Sequence, residues 1–250
     1  SSIDECIPYN SKDILHPVDQ FNLNIKKGDP QTYYLSLQTN EILKINFFIS
    51  SFNDAIIYSH QEDLLVACFL SIFLVMFFYN LFIFIQTRDR GYLYYVIYIL
   101  NMALAQLADR GYSDLYLWPN NSFLKQIDII VFTSFTFAAA IIFVINFLQI
   151  KRLLASYYQA LIAFLVLTFL PILVALTGHI SHAYTLINIL LPSSSIFLLY
   201  ISFKIYNLGY KPARFFLLGW TVMIVATFLI SIYNMGWLPS NFFIKNGFVL

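Results

Sequence analysis

From Leu64 onward the chain is a succession of apolar runs separated by short polar turns. About twenty apolar residues wound as a helix cross the hydrocarbon core of a bilayer, so runs of this kind restrict the fold more than any other feature present. Six are complete: Leu64–Ile85, Tyr92–Ala108, Ile127–Ile150, Tyr157–Leu176, Ala183–Tyr206 and Phe215–Tyr233. Tyr92–Ala108 is the shortest and needs its Tyr-rich end at the interface. A seventh run starts at Gly247-Phe248-Val249-Leu250 and is cut by the end of the sequence.

Composition agrees with this reading. The 250 residues are 60% hydrophobic and 11% charged, with a mean hydropathy of +0.72, whereas a soluble domain carries about a quarter charged residues. Abundant Phe (26) and Tyr (18) suit lipid-facing and interfacial surfaces. A net charge of +1 and no basic cluster beyond Lys26-Lys27 argue against nucleic acid as a partner.

The first 63 residues differ, with nine of the thirteen acidic residues and four of the fourteen basic ones. Gln31–Gln38 and Ile42–Ser50 read as strands, with Lys26-Lys27-Gly28-Asp29-Pro30 as a turn ahead of them. Two strands do not make a stable unit alone, so residues 1–62 are expected to be the last strands of a larger β domain. The opening SSIDECIPYN has neither Met nor a signal peptide, and the natural N-terminus is expected to lie upstream. Cys6 and Cys68 fall in different environments, and no disulfide is expected between them.

Basic residues in short loops give the orientation. Arg88, Arg90, Lys151, Arg152, Lys204, Lys211 and Arg214 fall on one side with a single acid, Asp89. Arg110, Lys125 and Lys245 fall on the other with Asp109, Asp114 and Asp128. The first side is expected to be cytoplasmic and the acidic β region outside. The tetrapeptide Asp-Arg-Gly-Tyr stands at both ends of the second run, at residues 89–92 and 109–112. Twenty helical residues rise about 30 Å, which puts the copies at opposite membrane faces. They share turn chemistry, Gly breaking the helix at each, and are not taken as an internal repeat.

No ionisable residue is read well inside any complete run, which disfavours proton coupling and catalysis at depth. The polar residues within the runs are neutral: Asn80, Asn101, Gln106, Asn146, Asn188 and Ser193–Ser195. Hydrogen bonding between helices, roughly 0.6 kcal/mol for each, is their expected role. Pro171 and Pro192 should kink their spans, and Ser193–Ser195 could satisfy carbonyls freed at Pro192, making it a hinge. His179 and His182 are three apart, but no carboxylate or Cys is near them in sequence, so no metal site is assigned. Lys245 reads as a snorkelling interfacial lysine, and Asn120-Asn121-Ser122 fits a glycosylation sequon. No phosphate-binding loop, nucleophile elbow or zinc-protease motif is present.

Arg88-Asp89-Arg90-Gly91-Tyr92-Leu93-Tyr94-Tyr95 follows Tyr79-Asn80 in the first run, and Gly111 and Tyr116-Leu117-Trp118-Pro119 follow the second. In these motifs the chain resembles the bacterial seven-transmembrane receptors with diverse intracellular signalling modules, from about residue 20 to the end. The resemblance implies an extracellular jelly-roll-like β domain that binds carbohydrate-like or other small ligands. It also implies seven helices and a cytoplasmic output such as a histidine kinase or diguanylate cyclase. The β domain and the output are largely outside this sequence, and no ligand-binding residue is carried over.

The fold expected is therefore an all-α polytopic bundle of seven spans, the last truncated, after a partial exoplasmic β segment. Residues 63–250 form the membrane domain, in the plasma membrane, with the N-terminal region outside. The function expected is signal reception without catalysis by this segment, with no cofactor, an output module in the same chain and a homodimer as partners. The joint Ser59–Asp63, the turn Arg88, Asp89, Arg90 and Gly91, Asn80 and the Pro192 hinge are candidates for coupling or packing. Tyr116 and Trp118 are expected interfacial anchors. The rival reading is a small-solute transporter or channel with a polar path lined by Asn80, Asn101, Asn146 and Asn188.

Overall fold

A computed structural model describes residue 17 and residues 49–119 and 121–222. The strands expected within residues 31–48, the sequon residue Asn120, Cys6, Lys245 and the seventh run lie outside the described residues. Those described are helical apart from short turns. In chain order the helices are α1 Phe52–Thr87, α2 Arg90–Asp109, α3 Tyr112–Tyr116, α4 Ser122–Phe147, α5 Ile150–Leu153, α6 Ala155–Leu167, α7 Leu170–Leu176 and α8 Ile180–Asn207. A further helix, α9, covers Ala213–Val222. Among the described residues five spans are long and apolar enough to cross a bilayer: α1, α2, α4, α6 with α7, and α8.

α4 is central. Over half of its apolar window is buried (56%), against 6% for α1. It packs on α2, α6, α7 and α8, while α1 packs on α2. Two apolar clusters result. One gathers Ile141, Val144, Leu148, Leu161, Leu198, Ile201 and Ile205 from α4, α6 and α8. The other gathers Ile127, Ile130, Ala175, Ala183 and Ile187 from α4, α7 and α8. The exposed faces stay apolar, as Ile72, Val75, Phe78, Phe82 and Ile85 of α1 do, because their solvent is lipid.

Several expectations change. α1 starts at Phe52, where the Ser51 hydroxyl caps the Asp54 N–H at 3.3 Å. Ser59–Asp63 is thus continuous helix and not a joint. At 36 residues, α1 is about 54 Å long and projects beyond the hydrocarbon core. The two Asp-Arg-Gly-Tyr copies also do opposite things. In the first, Arg88 takes the left-handed conformation (φ 57°) that ends α1, and the Asp89 side chain caps α2 by accepting from the Gly91 N–H at 2.8 Å. Gly91 therefore sits inside a helix and breaks nothing. In the second copy α2 ends, and Gly111 is left-handed at φ 75° before α3.

The fourth span is interrupted at Thr168-Phe169, and Pro171 lies in the first turn of α7, where a missing N–H is tolerated. Pro192 lies inside a continuous α8. The Ser193 and Ser194 hydroxyls donate to the Leu190 and Leu191 carbonyls, not to Asn188, the residue whose helical donor Pro192 lacks. The amides of Asn80, Asn101 and Asn146 donate to Met76, Ile97 and Ile142, each in its own helix, at 2.7–2.8 Å. They do not bridge helices. The low cost of back-bonding within the same turn explains the difference.

Candidate functional site

The turns that alternate along the bundle put two sets of polar residues at its opposite ends. At one end Arg88, Lys151, Arg152, Lys204, Lys211 and Arg214 gather near the ends of α1, α4 and α8 and the start of α2 and α9. Aromatic rings hold several of these cations. The Lys204 ammonium donates to the Tyr157 hydroxyl at 2.6 Å and lies over the Tyr157 and Tyr200 rings, 4.7 and 5.2 Å from their centroids. Lys151 lies over Tyr158. Tyr210 donates to the Phe147 carbonyl at 3.2 Å, tying the loop after α8 to the end of α4.

The other end carries the acids, and here side chains bond across helices. From α1, Glu62 accepts an ion pair from Arg110 at 3.2 Å and Asp63 accepts from the Tyr112 hydroxyl. Glu62 and Asp63 can face the corner because helical α1 continues past them. Arg110 caps α2, and left-handed Gly111 turns the chain so that Tyr112 and Ser113 open α3 beside α1 and α4. A Cβ added at Gly111 would lie 3.4 Å from Pro17, so a residue of the N-terminal region rests on this corner.

From α4, Asp128 accepts from the Ser113 hydroxyl and, at 3.1 Å, from the Trp118 indole N–H. Its other oxygen accepts from the Ile129 N–H at 2.6 Å. Asp128 is 5% exposed, and a carboxyl group that far from water is tolerated only with donors of this kind. The Trp118 ring stacks on Phe132 with centroids 5.9 Å apart, which fixes the indole against α4. Lys125 of α4 pairs with Asp114 of α3 at 3.7 Å. Four carboxyl groups thus fasten α1, α2–α3 and α4 to one another.

The Tyr112 phenol is pushed well above its ordinary pKa, first by burial, then by its hydrogen bond to Asp63 and the charges of Asp63 and Glu62. It remains a neutral donor through the physiological range, which keeps it bound to Asp63.

Of the residues singled out from sequence, Arg88, Asp89 and Arg90 form the exposed α1–α2 turn, Asn80 is buried within α1, and Pro192 is exposed on α8. No described hydrogen bond or ion pair joins Asn80 or Pro192 to that turn. Tyr116 is 73% exposed, and Trp118 turns its N–H to Asp128. Asp128 was counted with a loop, yet it lies in the second turn of α4. Its signal was present in Ile127-Asp128-Ile129-Ile130-Val131, where one carboxyl group stands among apolar residues. His179 and His182 approach with ring centroids 5.9 Å apart, and His179 Nδ1 lies 3.1 Å from the Thr177 hydroxyl. Among the described residues no group of three His, Cys, Asp or Glu side chains is placed to hold a metal.

A family model described as 7TM diverse intracellular signalling matches residues 62–250, which includes α2 to α9, α1 from Glu62 onward and the acidic corner except its Pro17 contact. The chain belongs to the 7TM diverse intracellular signalling family. It is a multi-pass membrane protein with a signalling role, and the motifs that carried the resemblance are the α1–α2 turn and the Gly111 and Trp118 corner. No curated protein and no solved structure matches the chain. The family match begins at Glu62, the first carboxyl group of the corner, so the interhelical bonds of Glu62, Asp63 and Asp128 fall within the signalling region.

Proposed function

We propose that this chain is a transmembrane sensor that passes a stimulus from outside to an output module in the cytoplasm. The observation that carries the reading is the acidic corner: α1, the helix that leads in from the N-terminal region, is tied by Glu62 and Asp63 to α2–α3, and α3 is tied by Ser113 to α4. α4 touches α6, α7 and α8. A ligand-driven shift of the N-terminal region, which carries Pro17, against Gly111 therefore acts on α4 through directional bonds. Two arrangements of the corner would differ in stability, and the stimulus would bias one of them.

The excess of basic residues at the opposite end favours a cytoplasmic position for it, with the N-terminal region outside the plasma membrane. The stimulus is a small molecule whose class the outer domain sets; a carbohydrate-like ligand fits the family. The output is a histidine kinase, a diguanylate cyclase or a similar bacterial module, any catalysis belongs to it, and a homodimer brings two outputs together. The rival transport reading loses support because its four asparagines do not face one lumen: Asn80 is buried, while Asn146 and Asn188 are exposed.

Spin labels at the α1–α2 turn and the α8–α9 loop of the protein in nanodiscs test the proposal. Asp128→Asn combined with Arg110→Ala should shift the distance distribution at that basic end. An unchanged distribution, or rapid solute flux through the protein in liposomes, would overturn the sensor reading.

A further inference from the structure

Most buried hydroxyls of the bundle are used within their own helix. Thr136 donates to Phe132, Thr168 to Leu165, Ser194 to Leu191 and Ser202 to Leu198. Ser134 of α4, only 3% exposed, has no partner for its hydroxyl among the described residues. It lines a cavity of ≈ 10 Å³ with Phe137 of α4, Thr168 and Pro171 at the break between α6 and α7, and Leu190 and Leu191 of α8. That is about the space one water needs, and a water also needs two or more polar partners.

We infer that this cavity binds a single water molecule, which forms the hydrogen-bonded link between α4 and the broken fourth span. The Ser134 hydroxyl donates to the water oxygen. The water donates one proton to the Thr168 hydroxyl oxygen, whose own proton is on the Leu165 carbonyl 2.7 Å away and whose lone pairs can accept. Pro171 has no N–H for the Leu167 carbonyl four residues back, so the same break offers an acceptor for the second proton. Proline and an inserted water are each recognised causes of helix kinks, which fits the interruption at Thr168-Phe169. The two proline-bearing spans meet at this cavity, since Leu190 and Leu191 immediately precede Pro192 in α8. A bridge of this kind lets α7 tilt against α4 while its polar groups stay satisfied. A dry cavity would leave the Ser134 hydroxyl desolvated for no return. The inference does not depend on the sensor reading.

Radiolytic labelling of the full chain in nanodiscs with ¹⁸O water reads the site directly, because hydroxyl radicals form where bound water lies. Phe137 should take label despite its burial, and Ser134→Ala should reduce that label several-fold. Thermal unfolding supplies the second arm. Ser134→Ala and Thr168→Val should each lower the melting temperature, and the double variant should fall little further than either alone, because both act through one water. An unlabelled Phe137, a melting temperature raised by Ser134→Ala, or strictly additive losses would each overturn the inference.

Discussion

At the acidic end, carboxyl groups on α1, α3 and α4 meet donors on neighbouring elements, and the contacts that hold the corner are directional. At the basic end α4, α6 and α8 close over Leu148, Leu198, Ile201 and Ile205, all fully buried, and Lys151 and Lys204 rest on aromatic rings. The first kind of closure has discrete alternatives, because a hydroxyl or guanidinium can exchange one acceptor for another or for water at modest cost. Apolar packing has no such alternatives; it transmits displacement as a body. A signalling bundle gains from having the two kinds at opposite ends: one end can be rearranged, and the other moves as a unit.

The contrast can be broken most severely at the packed end. Leu198→Ala should cost about 2–5 kcal/mol by opening a cavity in the core, seen as a large drop in melting temperature that salt and pH leave unchanged. At the acidic end Asp128→Ala should cost about 1–3 kcal/mol, since the Ser113 hydroxyl and the Trp118 indole lose their acceptor. Fluorescence of Trp118 should shift in that variant and stay as in the native protein in Leu198→Ala. A smaller effect is expected from Arg110→Ala. Its pair with Glu62 is 22% and 16% exposed on the two side chains, so partial solvent screening limits the loss to roughly 1 kcal/mol or less. That loss should shrink as ionic strength rises, whereas the Leu198→Ala loss should not.

The smallest effect is the most selective. The folded Tyr112 pKa is raised, so its contribution is fully present below the unfolded value of about 10 and is lost as pH climbs through the folded value. Unfolding followed from pH 9 upward should show stability falling in that alkaline range, with a shallower slope in Tyr112→Phe. An identical slope in the two proteins would remove Tyr112 from the corner.

Particular residues show how far the sequence could be read. The apolar runs marked α2 and α8 to within a few residues, α8 covering Ile180–Asn207 for the run Ala183–Tyr206, because the length of a lipid-exposed helix is written in uninterrupted apolar residues. α1 starts at Phe52 and not at Leu64, since its polar first turns carry no such signal. The Asn side chains misled. An amide in a run can bond across helices or back to its own turn, and nothing local chooses between them. Asp128 was missed for a related reason: near the end of an apolar run, a carboxyl group looks the same whether it faces water or a Ser113 hydroxyl supplied by another helix.

The two Asp-Arg-Gly-Tyr copies put the division in its simplest form. Local chemistry fixed that each could turn the chain, that the segment between them was long enough to cross a membrane, and that the charges belonged at its ends. Only the packed bundle decided that one copy starts a helix with Asp89 as its cap and the other ends a helix at left-handed Gly111 beneath Pro17. Helix formation in lipid is governed by each segment's own backbone and apolar side chains, so it is legible in one dimension. Which polar group meets which depends on how separate helices are brought side by side, and that arrangement is set by the whole chain at once.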